Sequence, residues 1–141
     1  MNCSVERKDP DIAVSEKGKT FRLNNPNRRT ILQVKVDGCL ITGEHKRCDW
    51  LFVVPLASEP HKPPKHRVCY VELKGKNIEK AYSQITSTIE HTKQQYDKFN
   101  KEAYIISSRV PRGGPSIQTL QIKLMRDFKT NLFTKNYTEV P

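Results

Sequence analysis

Between Lys74 and Asn77 the hydrophobic period of this chain changes, and that change restricts the folds open to it. Upstream, the apolar residues gather into short runs: Ile31, Leu32, Val34 and Val36; then Cys48-Asp49-Trp50-Leu51-Phe52-Val53-Val54; then Val68-Cys69-Tyr70-Val71-Glu72-Leu73-Lys74, stopping at Gly75. Such runs, bounded by Asp37-Gly38, a polar turn at 43–47 and a proline-rich stretch at 55–67, read as strands. Cys39-Leu40-Ile41 either resumes the first strand or pairs back on it. Downstream, Ile78, Ala81, Tyr82, Ile85, Ile89, Thr92 and Tyr96 recur at steps of three and four. That spacing predicts an amphipathic helix over about 77–99, with Asn77 as its N-cap.

Residues 103–108 read as a fourth strand. After the loop at 111–115, Ser116 caps a last helix carrying Ile117, Leu120, Leu124 and Phe128 on one side. Three strands without an intervening helix predict an antiparallel meander, and the strand after the long helix should return parallel to the third. The expected class is α/β: a mixed sheet with a three-strand meander followed by helix–strand–helix. The 141 residues suffice for a single domain (1–141). Its N-terminal segment, about 1–28, is polar, and its core spans about 30–130. Within the polar segment a short helix at 11–17 is expected after Asp9-Pro10-Asp11, then a loop at 24–27. The tail from Asn131 is left as a short element or a mobile end.

Charge narrows the partners. The chain carries 25 Lys+Arg against 15 Asp+Glu, a net +10, which favours a polyanion, nucleic acid ahead of an anionic membrane surface. No stretch approaches the roughly 18 apolar residues of a membrane span, and the first nine residues lack an apolar signal core. A cytoplasmic protein is expected. Cys3, Cys39, Cys48 and Cys69 show no Cys-x-x-Cys pair, which argues against a zinc ribbon or redox motif. Cys48 and Cys69 read as small core residues, and a disulfide is not expected in a reducing compartment. His45, His61, His66 and His91 have no metal-ligand spacing. Trp50, Tyr70 and Tyr82 read as core or cleft wall.

The candidate chemistry lies in two acids placed inside apolar runs. Burying Asp49 or Glu72 is costly unless each is paired or holds a metal. On a strand Glu72 and Lys74 share one face while Val71 and Leu73 share the other. Two carboxylates and an ammonium converging at one sheet edge make a Mg²⁺ site suited to phosphodiester hydrolysis. Glu-x-Lys alone is more often the pattern of a surface ion pair. The added Asp49, the strand order and the basic balance favour the site.

With those elements in that order, the chain resembles the PD-(D/E)xK nuclease superfamily, the restriction-endonuclease-like fold, over about residues 30–130. The segments around Asp37-Gly38, Cys48-Asp49-Trp50 and Val71-Glu72-Leu73-Lys74-Gly75-Lys76 look like those of small prokaryotic members. The resemblance implies that Asp49 and Glu72 bind Mg²⁺, with Mn²⁺ as substitute. Cys48 stands where a proline usually precedes the aspartate. It implies that the Leu73 carbonyl adds a metal ligand and that Lys74 activates the attacking water or offsets charge in the transition state. Such families often add a glutamine on the following helix, here Gln84. They also often place a glutamate on a first helix, where Glu16 is the choice and Glu6 the runner-up.

Lys62, Lys65 and Arg67 on the proline-rich connection, with Arg109 and Arg112 beside Gly113-Gly114, are the expected phosphate contacts; Lys76, Lys80 and Lys93 rank below them. The expected activity is a metal-dependent nuclease acting on DNA ahead of RNA, with long-site specificity requiring a homodimer or larger complex. The alternative is a catalytically inactive nuclease-fold domain that binds nucleic acid or a protein partner, in a defence or counter-defence role.

Overall fold

A computed structural model describes residues 2–75, 77–107 and 115–141. In chain order the elements are β1 (Ser4–Arg7), β2 (Asp11–Glu16), β3 (Lys19–Asn24), β4 (Ile31–Lys35), β5 (Trp50–Pro55), β6 (His66–Gly75), α1 (Ile78–His91), α2 (Lys93–Tyr96), β7 (Asn100–Ser107), α3 (Pro115–Phe128), β8 (Thr130–Phe133) and β9 (Tyr137–Glu139). They form a mixed α/β domain with a six-stranded sheet in the order β1-β4-β5-β6-β7-β8 and a three-stranded sheet in the order β2-β3-β9.

The meander β4-β5-β6 is antiparallel, as the absence of an intervening helix predicts. β7 returns parallel to β6, and β8 parallel to β7. Side-chain alternation along β6 divides the core into two layers. Val68 and Tyr70 pack with Leu51, Ala103 and Ile105 against Ala81, Ile85 and Ile89 of α1 and Leu124 of α3. Cys69, Val71 and Leu73 pack with Phe52, Val54 and Tyr104 against Ile12, Val14, Phe21 and Leu23 of the small sheet. The large sheet is therefore sandwiched, helices on one face and the small sheet on the other.

Asn77 caps α1 as its position predicts: its side chain accepts from Lys80 N at 3.1 Å. The expected single helix over 77–99 is broken at Thr92 into α1 and α2. There the Thr92 hydroxyl donates to Thr88 O at 2.8 Å and also bonds the Tyr70 hydroxyl at 2.9 Å. α3 begins with Pro115, so Ser116 falls inside the helix rather than at its cap. A proline fits the first turn because its missing N–H would have no helical partner there.

The N-terminal expectation is corrected more strongly. Residues 11–17 are not a helix: β2 and β3 form an antiparallel hairpin, Asp11 opposite Asn24 through Glu16 opposite Lys19. Ile12 and Val14, like Phe21 and Leu23, alternate inward with period two, and Lys17 (φ 49°) with Gly18 (φ 78°) supplies the two-residue turn. The 37–41 segment pairs back on itself as an isolated bridge between Asp37 and Ile41. Cys3 and Cys39 are joined in a disulfide, contrary to expectation, which ties β1 to that segment. Cys48 and Cys69 are buried free thiols. The tail supplies both β8 and β9. Among the described residues no helix is long and apolar enough to cross a membrane.

Candidate metal centre

Asp49 precedes β5 rather than lying within it, at the place where three strands meet. Its N–H donates to Val71 O at 3.1 Å, and its carbonyl accepts from Val36 N at 3.1 Å and Asp37 N at 3.4 Å. The residue is thus bonded to β6 on one side and to the end of β4 on the other. Its carboxylate Oδ2 accepts from the Leu73 N–H at 2.8 Å. β5 and β6 are in register with Trp50 opposite Val71, so one further step brings Asp49 across from Glu72. Alternation from Tyr70 puts Glu72 on the helix-facing side of the sheet. Both acids are buried, Asp49 at 3% and Glu72 at 0% exposure.

Cys48 reports the electrostatics of this corner. Burial, with the Glu72 and Asp49 carboxylates adding in the same direction, pushes its thiol from 9.0 up to about 12. Asp49 and Glu72 supply the carboxylate oxygens of this corner, the ligand type that a hard divalent cation takes. The Cys48 backbone is itself held: its N–H donates to Thr88 Oγ1 at 2.9 Å, and the Thr88 hydroxyl donates to Gln84 O at 2.8 Å.

The ladder between β6 and β7 slips in register between Glu72 and Gly75, so Leu73 and Lys74 lie outside the regular pairing. Such irregularities re-aim groups at sheet ends, often beside active sites. The Lys74 main chain is part of β6; its side chain, together with Lys76, Arg109 and Arg112, lies outside the described residues.

Gln84 is half-buried on α1, one turn before Thr88. It lines an open cleft of about 430 Å³ with Asp37, Gly43, Glu44, His45, Lys46, Arg47 and Lys80. Asp49 and Glu72 are not among its lining residues. Glu16 is not brought to the carboxylates: it ends β2 opposite Lys19, in the small sheet covering the face opposite Glu72. Glu6 is exposed on β1, with β4 and β5 between it and β6.

The expected phosphate contacts that the structure describes lie away from the two carboxylates. Lys62 and Lys65 lie on the loop joining β5 to β6, at the end of the hairpin remote from Asp49, and Lys62 pairs with Glu59 at 2.8 Å. At about 3.3 Å per strand residue, Arg67 is already roughly 17 Å from Glu72 along β6. The Arg67 side chain is 10% exposed and committed within the fold, donating to Glu102 Oε1 at 2.7 Å and to Glu139 O at 2.6 Å. It ties β6 to β7 and β9, a structural duty that the sequence reading of an exposed loop cation missed.

Tyr70 and Tyr82 are core residues, and Trp50 is half-buried against the small-sheet layer. His45 and His91 approach each other with ring centroids 6.2 Å apart. Among the described residues there is no cluster of three or more His, Cys, Asp or Glu placed to share a metal. Sequence reasoning overlooked Thr88, three residues beyond Ile85 and four before Thr92 on the buried stripe. It also overlooked Arg47, whose Nε donates to Asp37 Oδ1 at 2.9 Å. No family model, curated protein or solved structure matches the chain.

Proposed function

We propose that the protein is a metal-dependent nuclease with a restriction-endonuclease-like core, hydrolysing phosphodiester bonds of DNA. The observation that carries this reading is the bond from Leu73 N–H to Asp49 Oδ2, which pins one buried carboxylate to the strand bearing the other. Buried acids facing each other where β5 begins beside β6 suit Mg²⁺ or Mn²⁺ held by Asp49, Glu72 and the Leu73 carbonyl. A cation held there supplies Lewis acidity toward a phosphoryl oxygen and makes a nearby water more acidic. The chain's own share is positional. The Leu73 N–H orients the Asp49 carboxylate, Thr88 steadies the preceding residue, and β6 carries Lys74 two positions from Glu72. Lys74 is assigned the water-activating or charge-offsetting role, and the net +10 favours a polyanionic substrate.

Supercoiled plasmid with Mg²⁺ or Mn²⁺ is the test. Wild-type protein should nick or linearise it and stop on chelation. Asp49→Ala and Lys74→Ala should each cut at least about a hundredfold more slowly. Absence of wild-type cleavage, or unchanged rates in both variants, overturns the reading. A second reading rests on the hairpin where a first helix with its glutamate was expected: an inactive nuclease-fold domain that binds nucleic acid or a protein partner. It requires that nucleic-acid binding persist undiminished in chelator with no cleavage under any metal.

A further inference from the structure

Four features connect the 430 Å³ cleft to the chain segments that carry the two carboxylates. Arg47, in its wall, is two residues from Asp49, so their Cα atoms are within about 7.6 Å. Asp37, also in the wall, donates its backbone N–H to Asp49 O at 3.4 Å. Gln84 is joined through Thr88 to the Cys48 N–H. Lys80 sits in the first turn of α1, which begins just past the end of the strand that carries Glu72.

The charges in the cleft are unequally committed. Arg47 is used to shape the loop: its guanidinium binds Asp37 Oδ1, Gly43 O and His45 O. Lys46 and Lys80 are exposed and make no ion pair with a described residue; Glu44 is the remaining acid of the lining. Two exposed ammonium groups facing a roomy, open trough are suited to successive phosphates of a strand, which carry charge at regular spacing. A compact carboxylate ligand would leave most of this volume empty.

We infer that the cleft between the 43–47 loop and the first turn of α1 docks the phosphodiester backbone of a nucleic-acid strand leading to Asp49 and Glu72, with Lys46 and Lys80 as its phosphate contacts. The direction toward the carboxylates rests on the proposed nuclease reading; the docking itself does not. The nucleic-acid surface thereby moves from the β5–β6 loop, at the far end of the sheet, to the end that holds the two acids.

Fluorescence anisotropy of a labelled short DNA duplex and of its single strand, in chelator so that nothing is cut, tests the location. Lys46→Glu with Lys80→Glu should weaken binding of at least one form by about tenfold or more and lower the salt slope by about two. Lys62→Glu with Lys65→Glu, the same charge change at the other end, should shift affinity less than about twofold. Equal loss from both pairs, a larger loss from the second pair, or no wild-type binding overturns the inference. If binding depends on Lys46 and Lys80 while the wild type cleaves nothing with any metal, the docking surface stands and the nuclease reading falls.

Discussion

Thr88 shows how much a single buried hydroxyl can position. It receives the Cys48 N–H and spends its own proton on Gln84 O, so the residue before Asp49 is fastened to α1. Thr88→Val preserves shape but leaves the Cys48 N–H without that acceptor, a loss of about 1–3 kcal/mol. The expected outcome is a melting temperature several degrees lower, with Thr88→Ser restoring most of it. If Asp49 binds metal, Thr88→Val should also raise the Mg²⁺ concentration needed for half-maximal cleavage, whereas a purely structural threonine would leave that unchanged. Arg67 is the contrasting case. Removing it strands Glu102, which also receives the Tyr104 hydroxyl at 2.8 Å. Arg67→Ala should therefore cost about 3 kcal/mol, read as a lower urea midpoint, while changing DNA affinity little under conditions where the variant stays folded.

Among the elements, β1 and β6 illustrate different dependences. β1 is a four-residue edge strand with Val5 exposed, and it pairs only with β4 in the sheet. Such a short edge gains little from packing, and the Cys3–Cys39 bond supplies a covalent tether across 36 residues. In the chain-entropy account a closed loop of that length contributes about 4 kcal/mol. Dithiothreitol should lower the melting temperature of the wild type and leave Cys3→Ala with Cys39→Ala unaffected; equal sensitivity in both would show that this bond is not the source. β6 was legible because its apolar run is long and central, buried on both sides. The β2–β3 hairpin was less so: its alternation is brief, and Asp9-Pro10-Asp11 imitates a helix start. Packing of Ile12, Val14, Phe21 and Leu23 onto the outer sheet face decides the matter, and no local signal carries that contact.

For the whole molecule, titration of buried acids sets an alkaline limit. Cys48 is raised to about 12, chiefly by burial, and Cys69, Tyr70 and Tyr104 are raised for the same reason. Above the ordinary thiol value the unfolded chain releases protons that the folded one retains, so stability falls as pH rises from about 9 toward 12. Urea midpoints across that window should decline, and less steeply in Cys48→Ala with Cys69→Ala; a flat profile would contradict the burial of these groups. What the sequence determined by itself was the meander, the capped helix, the parallel return and the presence of two acids in apolar runs. Each of these follows from hydrophobic period and turn chemistry over short stretches. Tertiary structure alone decided which charged residues became neighbours. It put Glu16 in the small sheet on the face opposite Glu72, buried Arg67, and gathered Arg47, Lys80 and Gln84 into one cleft. Charge tolerates many solvated positions along a chain, so only the packing of distant elements specifies which cations and carboxylates finally share a site.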